Sequence, residues 1–307
     1  MQLQPSAIYK EYESGVAFKS SLGTHGMYEQ NKINERFFSG DQWYTASKTG
    51  NRPLVRHNVI KRIGDYKMAQ LLNGSIGIDY SAQGIPADYN SDENKEFESG
   101  VLSHHGYKFA GRVDDKEINL IMTMLGKYRD YVSKQSKFDI LCEKALKKAF
   151  ISGSAVIYTY WDSLADTGLF ADSERTVKIK GDIKSEVVDI ENVYFADTEN
   201  DDVQSQKYII IATESDVDSV VAQSRAFGAD EHTVSLIVNS AQNGKVLTLT
   251  KLYKETDIFG DTRVMCTKVT ENAVIRPPFD TKLHIYPLSL FKWNERNGMI
   301  YGDSDVT

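Results

Sequence analysis

Apolar residues follow a helical period through the first half of the chain and an alternating one through the second, with the change at Gly153. After Pro5, the residues Ile8, Tyr9, Tyr12, Val16 and Phe18 predict a first helix ending near Gly23. From Tyr28, Ile33 and Phe37 lie four apart with Phe38 beside them, which predicts a second helix closed by a left-handed turn at Gly40. Trp43 and Tyr44 follow at once, where their rings can cover its end. Pro53 biases Arg52 towards extended backbone. Asn58 can cap a third helix whose Ile60, Ile63 and Leu71 share one face, widened by Val59 and Leu72, and Asn73-Gly74 supplies its stop. Residues 76–81 alternate and predict a short strand. From 83 to 113 the period fades. A stretch of that length in a compact domain is either a functional loop or a segment ordered against something else.

The strongest helical signal spans 114–152. Ile118, Ile121, Leu125, Tyr128 and Val132 follow at spacings of three and four. Ser136 with Asp139 reads as a cap that restarts the helix. Phe138, Leu141, Ala145, Leu146 and Ala149 continue the stripe to Gly153, giving two packed helices or one kinked helix. Beyond it, Ser154 to Asp162 predicts a strand with Val156, Tyr158 and Tyr160 on one face. Further strands are predicted at 176–180, 183–188, 207–213, 245–253, 262–269 and 272–276, with helices at 215–227, capped by Ser215, and at 230–241. Asn243-Gly244 is a hairpin signal. The expectation is an α+β fold, with a mainly helical part over 1–153 and a β-rich, mostly antiparallel part with two helices over 154–307. The two parts can form one compact domain.

Composition narrows the class. Of 307 residues, 41% are hydrophobic and 26% charged, as in a folded protein rather than a disordered one. No apolar run is long enough to span a bilayer, and the start lacks the pattern of a signal peptide, so no membrane partner is expected. Two cysteines, Cys142 and Cys266, cannot make a disulfide framework or a cysteine-based zinc site, which fits a reducing compartment. The net charge of -7 is uneven. Residues 1–153 carry 21 Lys/Arg against 18 Asp/Glu, a net of +3, and residues 154–307 carry 15 against 25, a net of -10. An acidic half opposes tight binding along a nucleic-acid backbone, while DNA can still slide past it, and an acidic balance by itself also serves simply to keep a protein in solution.

Candidate chemistry is sparse. The sequence has no phosphate-binding G-x-x-x-x-G-K-S/T, no G-x-G-x-x-G and no G-x-S-x-G. Lys48-Thr-Gly50 lacks the Ser-x-x-Lys that would make it a β-lactamase box. His104-His105 is the one histidine pair, without metal-ligand spacing. Asp197-Thr-Glu-Asn-Asp201-Asp202 begins like a calcium loop, but Asp202 stands at the glycine position and Tyr208 at the last ligand position, so it reads as a solvated turn. Asp280-Thr-Lys282, with Asp257 and Asp261 upstream, has the D/E-x-K spacing of a metal-dependent nuclease. Asp65-Tyr-Lys67, Glu93-Asn-Lys95, Asp114-Asp-Lys116 and Asp182-Ile-Lys184 share that spacing, which makes it uninformative, and Pro277-Pro278 favours a turn there. The 17 Tyr, 13 Phe and 3 Trp can stack bases, but they fall mainly in strands and helix stripes, where packing accounts for them.

Several longer segments carry a resemblance. Asn34-Glu-Arg-Phe-Phe-Ser-Gly-Asp-Gln-Trp43, then Asn51-Arg-Pro53 and Asn58-Val-Ile-Lys61, resembles the N-terminal region of tailed-bacteriophage portal proteins. So do Ile151-Ser-Gly153 with the strand closing on Trp161-Asp162, the run Gly181–Asp197, and Ile211 to Val220. The segment Tyr286-Pro-Leu-Ser-Leu-Phe-Lys-Trp-Asn-Glu-Arg-Asn-Gly-Met-Ile-Tyr-Gly302, continuing to Val306, resembles the family most closely. The segments keep the family's order. The resemblance implies a structural, non-enzymatic virion protein. It would form a dodecameric ring at one capsid vertex, pass DNA without sequence-specific binding, and contact terminase, scaffold, capsid and head-completion proteins. It places the protein in the virion, and in the host cytoplasm during assembly. It assigns no cofactor, metal, or catalytic residue. Members continue past the aromatic-Gly turn into tunnel-lining helices and a clip, whereas this sequence stops at Thr307. The expectation is therefore a wing-like part, truncated, split or remnant, that stays monomeric or weakly associated. A D/E-x-K nuclease and a generic α+β interaction module are the alternatives.

Overall fold

Every described strand follows Gly153, and five of the seven described helices precede it. The structure, a computed structural model, describes residues 4–43, 57–73, 115–172, 176–256 and 260–306. Among them are seven helices and two antiparallel sheets, an α+β fold with the helical part first. The helices are α1 (Pro5–Ser21), α2 (Gly26–Phe38), α3 (Val59–Leu72), α4 (Asp115–Gln135), α5 (Phe138–Ser152), α6 (Val217–Ala226) and α7 (Glu231–Asn239). The strands are β1 (Ser154–Phe170), β2 (Lys178–Asp189), β3 (Val193–Phe195), β4 (Tyr208–Asp216), β5 (Lys245–Thr256), β6 (Thr262–Val269), β7 (Val274–Asp280) and β8 (Leu288–Lys292). Two compact units result: Met1–Leu72 with Ile140–Thr307, and Asn73–Asp139.

In the first unit, β3 to β7 form a meander in chain order, and β2-β1-β8 form a second antiparallel sheet. Ile209, Ile210, Ile211 and Ala212 on β4 are all buried, because the five-stranded sheet is covered on both faces. Ile209 and Ile211 point with Leu252 and Val264 into a core shared with Val156, Tyr158 and Leu288 of the other sheet. Ile210 and Ala212 pack with Tyr194 and Leu249 against Ile8 on α1. The outer face of the three-stranded sheet is covered by Ala145 and Ala149 of α5, which meet Ala155. Helices α6 and α7 cover Val246, Ala273 and Ile275 through Val220 and Ile237.

Several boundaries differ from the periodicity. The strands predicted at 176–180 and 183–188 are one strand, β2, continuous through Gly181. Helix α6 starts after Asp216 rather than Ser215, and the Asp216 carboxylate accepts from Ser219 N. Ser136 does not cap α5; its hydroxyl turns back onto Ser133 O, and the break comes from Lys137 at φ 49°. Pro277 and Pro278 lie within β7 rather than in a turn, because β7 is an edge strand and its pairing with β6 is interrupted by a register shift between Arg276 and Phe279. On α3 the buried face is Ile60, Gly64 and Met68, while Val59, Ile63, Leu71 and Leu72 are exposed. The reason is Gly64, whose bare backbone lets the Phe150 and Phe38 rings close on that side. The predicted strand at 76–81 and the 83–113 stretch lie outside the described residues.

Candidate functional site

Four of the segments that carry the resemblance, 34–43, 58–61, 151–153 and 286–306, are far apart in sequence and meet at one junction, while 181–197 and 211–220 pack elsewhere. Its centre is the end of α5. Phe150 stacks edge-on against Phe38 at the end of α2, with centroids 5.7 Å apart, and against Trp293 after β8 at 5.1 Å. Met68 of α3 and Val306 close the same core. Here the helix must stop and the strand must begin, and Gly153 does this at φ 82° with its N–H on Ala149 O at 2.8 Å. Its neighbour across the turn is Gly302. A Cβ on Gly153 would lie 2.2 Å from Gly302 O, and one on Gly302 would lie 2.6 Å from Gly153 O, so both positions require glycine. Around the pair, Trp293 N donates to Gly153 O at 2.9 Å and Gly302 N to Ser154 Oγ at 2.8 Å.

Several polar side chains of the motif segments bond to main chain or to one another. Asn34 is buried on α2 and donates to Ile151 O at 2.9 Å. Asn58 caps α3 as predicted, accepting from Lys61 N at 3.0 Å, and it also donates to Phe38 O at 2.7 Å, which ties the start of α3 to the end of α2. Gly40 has φ 94°, as the turn ending α2 requires, and Trp43 is exposed. Ser304 Oγ donates to Phe150 O at 3.0 Å, and Asp305 takes Lys67 Nζ at 2.5 Å and Asn294 Nδ2 at 3.1 Å. Burial opposes ionisation of Asp305, but these hydrogen bonds hold its pKa below the usual carboxylate value. Beside the junction lies a groove of ≈ 420 Å³ lined by Glu35, Phe38, Ser39, Lys61, Lys147 and Ile151. Its mixed charges sit on exposed side chains over a small apolar floor.

Sequence reasoning missed a second polar centre. Lys19 on α1 is fully buried, and its Nζ donates to Ile190 O at 2.6 Å, Glu191 O at 2.8 Å and Val193 O at 2.7 Å. The Tyr194 ring lies 4.0 Å from the ammonium and the Tyr301 ring 5.5 Å. Burial pulls the Lys19 pKa well below the ordinary lysine value, and the Glu191 carboxylate opposes this. Three carbonyls need three N–H donors, which only the ammonium has, so the geometry holds the charged form. Tyr28 and Tyr194 share a hydroxyl contact of 3.0 Å beside it. No sequence signal marks Lys19, because a lysine on a helix is almost always solvated.

The nuclease candidate is committed elsewhere. Asp280 accepts from Lys282 N at 2.7 Å and Lys282 Nζ at 3.1 Å, and Arg263 lies at 3.5 Å. Partial burial raises its pKa, but these partners lower it further, to a net value below the usual range. Lys67 pairs with Asp305, and Lys184 pairs with Asp162 at 2.5 Å. Asp257, Glu93, Lys95, Asp114, Lys48 and the His104-His105 pair lie outside the described residues. Among the described residues, no three His, Cys, Asp or Glu side chains come together as a metal site. In the acidic turn at 197–202, Asp197 accepts from Glu199 N and Asp202 from Gln204 N, around a buried Gln206, and Asp201 lies 3.9 Å from Lys292 Nζ. Cys266 is buried between the sheets, which pushes its thiol up to about 12 and leaves it unreactive. No described helix is long and apolar enough to cross a membrane.

Against known proteins, no family model matches the chain and no curated protein matches it either.

Proposed function

We propose that this protein is a structural component of a phage or prophage particle, corresponding to the wing-like part of a portal protein. The observation that supports the reading is the junction: four of the segments that carry the resemblance, 34–43, 58–61, 151–153 and 286–306, pack against one another at Phe150 and Gly153. Their side chains hold main chain in place, which suits a scaffold whose function lies in its surfaces. In this reading the protein passes DNA without gripping it, and the net charge of -10 over 154–307 keeps a polyanion from adhering there. Its partners would be terminase, scaffold, capsid and head-completion proteins.

The test is to induce particles from a host carrying the gene, purify the DNA-filled fraction and look for this chain by mass spectrometry. Its presence at a fixed ratio to the capsid protein is the expected result, and its absence from filled particles overturns the proposal. Magnesium-dependent DNA cleavage by the purified chain, abolished by Asp280→Ala, would favour the nuclease instead.

A further inference from the structure

Helix α4 carries an apolar seam, exposed at Ile121, Leu125 and Tyr128 and half-buried at Val132, with the period of a helix–helix contact rather than of a core face. Ile121, Leu125, Tyr128 and Val132 are spaced four, three and four apart, and Ile118 continues the series in sequence. This is the 3.5-residue repeat of a supercoiled pair. Ile121 is 44% exposed, Leu125 42% and Tyr128 56%. Leu120, Met124 and Tyr131, also exposed, flank the seam on one side and widen it. The opposite face carries Thr123, Lys127, Asp130 and Lys134, so the helix is two-sided rather than uniformly apolar. At 21 residues the helix is about 31 Å long, enough for three heptads.

The charges along α4 specify the partner. Residues 115–120 hold Asp115 and Glu117 against Lys116, a net of -1. Residues 127–137 hold Lys127, Arg129, Lys134 and Lys137 against Asp130, a net of +3. A second copy laid antiparallel brings each acidic end beside a basic end, and it also opposes the two helix dipoles. A parallel copy would bring like ends together. Antiparallel seams pair the two kinds of seam position with each other, and one register uses the whole helix: Leu125 faces Tyr128 of the second copy, and Ile121 faces Val132.

We propose that α4 is a self-association surface, through which two copies of this chain pair as antiparallel helices. The inference is independent of the proposed virion role. The test uses the full chain at roughly 100 µM, where weak association is still populated. Light scattering after size exclusion should give twice the 34.6 kDa chain mass. Tyr128→Glu places a charge in the seam of each copy and should weaken the pair by ~100-fold or more, with unchanged circular dichroism because Tyr128 is exposed in the single chain. In a Cys142→Ser background, mixing Ile121→Cys with Val132→Cys chains should give the mixed disulfide, while each alone stays reduced. A wild-type monomer, a dimer indifferent to Tyr128→Glu, or disulfides between identical variants would each overturn the proposal.

Discussion

At Lys19 two demands oppose each other: burial disfavours the charge, and three carbonyls require it. Replacing it by Met keeps the volume and strands the carbonyls of Ile190, Glu191 and Val193. The expected cost is roughly 3–5 kcal/mol, read as a lower midpoint in urea unfolding. The pH dependence has a definite sign. The folded pKa lies below the unfolded value of 10.5, so between the two the unfolded chain binds more protons and stability rises with pH. Lys19→Met should lose that rise. A variant with the same slope as wild type would place the titration on another group. At Gly153 the constraint is steric. Gly153→Ala must fit a Cβ 2.2 Å from Gly302 O with backbone at φ 82°, and should lower stability by about 2–4 kcal/mol, measurable as a drop in Tm.

Among the elements, α3 shows what periodicity can and cannot deliver. Its existence, its cap at Asn58 and its approximate length were legible in the sequence, because caps and spacing are local. Its buried face was not, since Ile63 and Leu71 outrank a glycine on any hydropathy scale. The face is decided by two aromatic rings from other elements, and the space for them is Gly64. Gly64→Ala therefore tests packing against propensity. Alanine favours a helix by about 1 kcal/mol, but its Cβ would meet Phe150 Cε1 at 2.8 Å and Phe38 Cε2 at 3.1 Å, and overpacking costs roughly 1–3 kcal/mol. Net destabilisation is the expected outcome in thermal unfolding, and stabilisation would mean the rings yield freely. The meander was legible for the same local reason as α3, through alternation and the Asn243-Gly244 turn, where both residues have positive φ. The prolines of β7 misled because edge position is a property of the sheet and not of the strand. The junction was legible only as scattered motifs, and Lys19 not at all, since both depend on contacts spanning more than 100 residues.

In the first unit as a whole, both chain ends are fastened to distant partners. Helix α1 is held by Lys19 to the backbone around 190–193 and by Glu11 to Lys251 at 2.5 Å. The other end folds back onto the helical part: Ser304 and Asp305 meet Phe150 O, Asp305 meets Lys67, and Val306 enters the core with Phe38 and Met68. The helices that come first in sequence are thus completed by residues that come last, and the sheets between them are clamped from both sides. Such long-range closure predicts one cooperative transition rather than separate melting of helices and sheets. Ending the chain after Gly302 tests this. The deletion removes Val306 from the core and the partners of Phe150 O and Lys67, a loss of roughly 2–4 kcal/mol. Trp293 sits at the junction, so its fluorescence, read with Trp43 and Trp161 replaced by Phe, reports the helical side, while far-UV circular dichroism near the strand minimum reports the sheets. Both should shift to lower urea together. If the sheet signal keeps the wild-type midpoint while Trp293 moves, the junction is an appendage to an independently stable sheet core, and the clamp does not exist.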